Sequence, residues 1–108
     1  MSDARFVYVT AASRAEALAI GQALVVERLA ACANVIDGMA SIYWWHGKIE
    51  RAEEAVLILK SRAALIEPLT ARVKQLHSYE VPCVMALPIE AGNADYLRWI
   101  AGETRGTP

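Results

Sequence analysis

Tyr43-Trp44-Trp45-His46-Gly47-Lys48 sets three large aromatic side chains in a row directly before a turn. In an extended strand, successive side chains point to opposite faces. Tyr43 and Trp45 then cover one face and Trp44 the other, so both faces require burial. A 108-residue chain has little spare interior to supply it. Tyr and Trp are enriched where subunits meet, because each joins an apolar ring to a polar edge. Tyr43, Trp44 and Trp45 are therefore read as an oligomer interface. The plainer alternative is a core strand covered by the chain's own helices.

Outward from this stretch, His46-Gly47 has the character of a hairpin turn. The return strand is expected over residues 51–61, and its run Ala55-Val-Leu-Ile-Leu59 is apolar on both faces, as a central strand requires. Upstream, a strand over 32–36 is interrupted at Asp37-Gly38 and resumes over 41–45, which predicts a bulge or bend at the glycine. Strands this long exceed the usual 5–6 residues or so, so the hairpin should project beyond the body of the domain. Residues 5–10 form a first strand, rich in β-branched and aromatic side chains. Ser13 and Glu16 have capping-box spacing, and Leu18, Val25, Leu29 and Cys32 recur with helical period, which predicts a helix over 14–31. Its flank of Ala17, Gly21, Leu24 and Ala31 permits close approach to a sheet.

Leu65, Ile66, Leu69, Val73 and Leu76 form a second helical stripe, with Pro68 placed in the first turn, where a missing N–H does no harm. Residues 81–89 carry Pro82 and Pro88 and read as an edge strand. Asn93 caps a last helix with Tyr96, Leu97 and Ile100 inward and Gly102 at its end, and the tail 103–108 is expected to fray. The order β-α-β-β-α-β, followed by a short helix, is the α+β ferredoxin-like arrangement. One domain is expected over 1–108, with an ordered core from about 5 to 102. Both main helices would lie on one face of the sheet. The opposite face would keep apolar side chains uncovered, a second argument for association.

Composition supports this reading. Hydrophobic residues make up 56% of the chain and charged residues 21%, below the roughly 25% usual in soluble domains. A small domain with its large surface should be more polar than average, so some apolar surface is expected to be hidden between copies. A net charge of −1 provides no basic field for a phosphate backbone, which argues against nucleic acid. No apolar run approaches the roughly 20 residues of a spanning helix, which argues against a membrane. The first 17 residues lack a basic start and an apolar core, so a cytoplasmic location is expected, with Cys32 and Cys83 as reduced thiols. There is no Gly-rich phosphate loop, HExxH or GxSxG, and the expectation is a protein without catalysis.

Four separated motifs carry a family resemblance: Leu29-Ala-Ala-Cys32-Ala-Asn-Val-Ile36, Tyr43-Trp44-Trp45-His46-Gly47-Lys48-Ile49-Glu50, His77-Ser78-Tyr79-Glu80-Val81-Pro82 and Asp95-Tyr96-Leu97-Arg98-Trp99. Taken in order, they make residues 6–99 resemble the CutA divalent-cation tolerance family. The resemblance implies a ferredoxin-like subunit in a tight homotrimer, similar in architecture to the PII signal transducers. It also implies a role in tolerance of copper and other divalent metals, with no catalytic activity established.

Cys32 matches the cysteine of the family's Ala-Ala-Cys motif and His77 the histidine of its His-Pro-Tyr motif, both proposed there as ligands of a divalent metal such as copper. Two positions depart from the pattern. Some relatives carry a further cysteine near the position of Thr10, and Ser78 stands where proline is usual. Thiolate and imidazole suit copper and zinc, but two ligands do not close a tetrahedral site. Read without the resemblance, Cys32 fits a small buried thiol at a helix-to-strand junction, and His77 fits a histidine interacting with the end of a helix. Cys83, Met39 and Met85 read as packing residues, His46 as a solvated turn residue, and Glu50, Glu53 and Glu54 as solubilising charge. Lys60 and Arg62 precede a helix start and form the alternative site: two cations that could hold a small anion in a cleft between subunits, as in a PII-like sensor.

Overall fold

A computed structural model describes residues 3–104 of the chain. The first apolar run forms β1 (Ala4–Ala11). Ser13 then caps α1 (Arg14–Val26), its Oγ accepting from Glu16 N–H at 3.1 Å. Glu16 reaches back to Ala12 N–H at 2.9 Å rather than to the cap residue itself, and its other oxygen accepts from Ser78 N–H at 2.9 Å. The box thus also ties α1 to the loop at residues 77–83. Burial alone would raise the Glu16 carboxyl, but these hydrogen bonds outweigh it and hold the carboxyl below its ordinary value.

The helix expected over 14–31 stops at Val26. Arg28 adopts φ 64°, its N–H donates to Val25 O, and Leu29 N–H donates to Leu24 O. That is a Schellman closure with arginine in the left-handed position usually given to glycine. Periodicity could not reveal it, because Leu29 and Ala30 continue the apolar pattern into the core after the helix has ended.

β2 (Cys32–Trp45) and β3 (Lys48–Arg62) form one long hairpin closed by His46 and Gly47 at φ 50° and 76°. Two consecutive left-handed residues match the right-handed twist of the flanking strands. The expected irregularity is a register shift between Ile36 and Met39, with Gly38 at φ 78°. A short 3₁₀ turn (Ala63–Leu65) leads into α2 (Ile66–Leu76), with Pro68 in the first turn. β4 (Val84–Pro88) is shorter than the strand expected over 81–89: Val81, Pro82 and Cys83 remain in the approach, where Pro82 has no N–H for a ladder. Asn93 caps α3 (Ala94–Glu103), accepting from Asp95 N–H.

The four strands form one antiparallel sheet in the order β2-β3-β1-β4, which puts the Ala55–Leu59 run at the centre and the proline-bearing strand at an edge. Val7 and Val9 of β1 and Leu57 and Leu59 of β3 pack against Ile20 and Leu24 of α1 and Leu69 and Val73 of α2. Gly21 permits the closest approach, since a β-carbon there would lie 2.9 Å from Ala33 Cβ and 3.0 Å from Leu57 Cδ1. The other sheet face carries Phe6, Tyr8, Val56, Ile58, Met85 and Leu87, and much of it is open. Met85 and Leu87 are each 55% exposed and Ile36 is 56% exposed. The tail expected to fray from 103 is anchored at its first two residues: Thr104 is fully buried and its carbonyl accepts from Arg62 Nε at 2.6 Å. Residues 105–108 lie outside the described residues.

Candidate functional site

Past the bulge, Met39, Ser41, Tyr43 and Trp45 fall on the open side of the hairpin, opposite Glu54, Ala52, Glu50 and Lys48. Together with Tyr8 and Thr10 of β1 and the loop at 78–83, they line an open cavity of about 750 Å³. At its floor, Glu54 is only 8% exposed, and its carboxylate accepts from Tyr79 Oη–H at 2.8 Å. Tyr8 Oη–H donates to Met39 Sδ at 3.4 Å. Burial pushes the Tyr79 hydroxyl well above its ordinary value, and the hydrogen bond to Glu54 and its charge push it further. Burial and then the Glu54 charge also push the Cys83 thiol up, so it favours the protonated form.

His77 fixes the loop that walls this cavity. It caps α2 with its own N–H on Val73 O, and its buried ring lies between two backbone groups. Nδ1 accepts from Tyr79 N–H at 3.0 Å, which assigns the ring proton to Nε2, and Nε2 donates to Thr10 O at 2.7 Å. Nε2 is spent as a donor and the Nδ1 lone pair as an acceptor, which leaves no lone pair free for a metal.

Cys32 lies elsewhere. It pairs with Lys60 at the other end of the sheet, whereas the Thr10 that receives His77 pairs with Val56. Four residues of β3 separate the two registers, about 13 Å of strand, so the structure does not bring Cys32 and His77 together within one chain. Around Cys32 Sγ are Tyr96 Oη at 3.7 Å and Asn34 Oδ1 at 3.9 Å. Lys60 Nζ donates to the same Asn34 oxygen. Among the described residues, no three His, Cys, Asp or Glu side chains are grouped to hold a metal ion. The donors near Cys32, one sulfur and two oxygens, fit a soft or borderline metal only in part, and the Lys60 ammonium opposes a cation there.

The alternative anion site is dispersed as well. Arg62 is committed to Thr104 O and Lys60 to Asn34, and the first amide after Arg62, Ala63 N–H, donates to Asp3 O. Of the three aromatics, Trp44 points away from the cavity and is 71% exposed, while Tyr43 and Trp45 line it. Trp45 also meets the His46 ring edge-on at 4.6 Å.

Glu54 and Tyr79 are the residues that sequence reasoning passed over. Its charge alone assigns Glu54 to the solvated surface, and the structure buries it. The signal was its parity: it shares a strand face with Val56 and Ile58, whereas Glu53 does not.

Known proteins give this arrangement its context. The profile of the CutA1 divalent ion tolerance protein family matches residues 5–103. A rice protein (Oryza sativa subsp. japonica) named Protein CutA 1, chloroplastic, is 43% identical over 99 residues, which is 92% of this chain and 56% of that protein. The Divalent-cation tolerance protein CutA of Thermus thermophilus is 44% identical over 98 residues, 91% of this chain and 95% of that one. The chain therefore spans about half the length of its plant relatives and nearly all of the Thermus one. A solved structure of the divalent cation tolerance protein from Thermus thermophilus superposes with a TM-score of 0.92 at 42% identity, covering 94% of this chain and 98% of that one. Fold, motifs and identity across nearly the whole length agree, and the chain belongs to the CutA1 divalent ion tolerance family.

Proposed function

We propose that this chain is a cytoplasmic, non-enzymatic metal-tolerance protein that works as a homotrimer and takes up copper or a similar divalent ion weakly. Membership of a divalent ion tolerance family over residues 5–103 carries this reading. The thiol of Cys32, half-buried at the sheet edge beside two oxygen donors, is the ligand within this chain. Weak uptake follows from the physical setting: too few donors, and a lysine ammonium shared with one of them. Complete coordination requires donors from a neighbouring copy, which links metal uptake to assembly. The apolar sheet face and the exposed hairpin aromatics support association, since a second copy would remove both from water. His77 serves this reading as a structural pin.

Calorimetric titration with copper and with zinc tests it on the wild-type protein, Cys32→Ser and His77→Ala. Uptake should fall in Cys32→Ser and persist in whatever fraction of His77→Ala is folded. Equal uptake by wild type and Cys32→Ser removes the thiol from the proposal. Light scattering on the same samples checks the trimer, and a monomer throughout the concentration range contradicts it.

A further inference from the structure

The cavity beside the hairpin has a chemistry of its own, distinct from the Cys32 edge. Glu54 accepts one hydrogen bond, from Tyr79, and takes part in none of the ion pairs among the described residues. A carboxylate this far removed from water is costly without a counter-charge. The cavity lining contains no Lys, Arg or His, and Glu80 adds a second negative charge. Anions are therefore repelled and cations attracted. Tyr8, Tyr43, Trp45 and Tyr79 contribute four aromatic rings to the same walls, and ring faces attract cations within about 6 Å.

We propose that this cavity binds an organic ammonium ion, its charge held by the Glu54 carboxylate and its apolar body by the rings of Tyr8, Tyr43, Trp45 and Tyr79. The volume of about 750 Å³ lies within the range of small-molecule sites, roughly 300–1,000 Å³, and far exceeds a bare ion. A metal fits the same place poorly: Met39 Sδ already accepts from Tyr8, and the Cys83 thiol is held toward its protonated form. In the assembly proposed above, a neighbouring copy would lie over this side of the sheet and complete the outer wall.

The test is a calorimetric titration of the assembled protein with choline and with phenethylammonium, which separates quaternary from primary amines. Each is paired with a neutral isostere: the choline analogue with a tert-butyl group in place of trimethylammonium, and phenethyl alcohol. At least one ammonium should bind at least about tenfold more tightly than its neutral partner. Glu54→Gln keeps the side-chain shape and an acceptor for Tyr79, and it should abolish that preference. Tyr43→Leu, at a half-exposed ring whose loss leaves the core intact, should weaken the ammonium severalfold and the neutral isostere less, because only the ion loses the attraction of the ring face.

No binding of either ammonium by wild type overturns the proposal, as it would if a neighbour's side chains fill the cavity. Equal affinity for ion and isostere overturns it too, and so does a preference that survives in folded Glu54→Gln. Should Glu54→Gln fail to fold, an ammonium affinity unchanged in Tyr43→Leu decides against it. Cys32→Ser should bind the ammonium like wild type, so failure of the metal reading and failure of this one are separable.

Discussion

At the residue scale, His77 and Tyr79 show how one short motif holds a loop in place. Removing the His77 ring leaves the buried Thr10 O and the part-buried Tyr79 N–H without their partner. His77→Ala should therefore cost about 2–4 kcal/mol of stability, read from urea melts; an unchanged midpoint would show the ring to be dispensable. Tyr79→Phe removes the hydroxyl that serves Glu54 and should cost about 2 kcal/mol. It should also alter the alkaline limb. The folded Tyr79 hydroxyl holds its proton above the ordinary tyrosine value of about 10. The stability linked to it is whole below that value and is lost as pH rises through the folded value. Wild type should thus weaken more steeply above about pH 10 than Tyr79→Phe, and parallel alkaline limbs would refute the linkage. The family resemblance marked His77 as a metal ligand, whereas its position alone marked a histidine at the end of a helix, which is where it stands. Its two backbone bonds could not be read, since they join residues 67 positions apart and 2 apart through a fold not yet built.

At the scale of elements, the sequence carried most of the fold. Alternating and continuous apolar runs placed the strands, the glycines at 38 and 47 marked the bulge and the turn, and Ser13 and Asn93 marked two helix starts. The errors lie where a residue acts against its type. Arg28 ends α1 in a conformation favoured by glycine, and Glu54 is buried though it follows another glutamate in a charged stretch. Gly21 gives a direct check on the helix-to-sheet approach. Alanine there should improve α1 by about 1 kcal/mol on intrinsic propensity. The added β-carbon, however, would meet Ala33 Cβ, an atom fixed to the backbone of β2, at 2.9 Å. Overpacking of this kind costs about 1–3 kcal/mol, so the net effect should be a loss. Thermal unfolding of Gly21→Ala should show a melting temperature lower by several degrees. A rise instead would mean that α1 can move off the sheet without penalty.

At the scale of the whole molecule, the hairpin stretches the chain to 43 × 28 × 22 Å and carries its largest rings away from its core. Within one copy, Cys32 lacks a complete donor set, and the ring-lined cavity opens on the uncovered face. Trp44 allows assembly to be tested apart from folding. At 71% exposure it contributes little to the isolated subunit, so truncation should leave subunit folding nearly unchanged. If its ring is buried against a neighbour, the loss appears in association alone, at about 2 kcal/mol or more for an anchoring tryptophan. Sedimentation velocity across a dilution series should then find Trp44→Ala dissociating at concentrations where wild type remains assembled. Trp45→Ala should weaken assembly as well, but with some loss in the subunit, because that ring also lines the cavity and meets His46 edge-on. An assembly of Trp44→Ala that withstands dilution as well as wild type would place Trp44 outside the contact. The open sheet face around Ile36, Met85 and Leu87 would then be left as the surface that joins the copies.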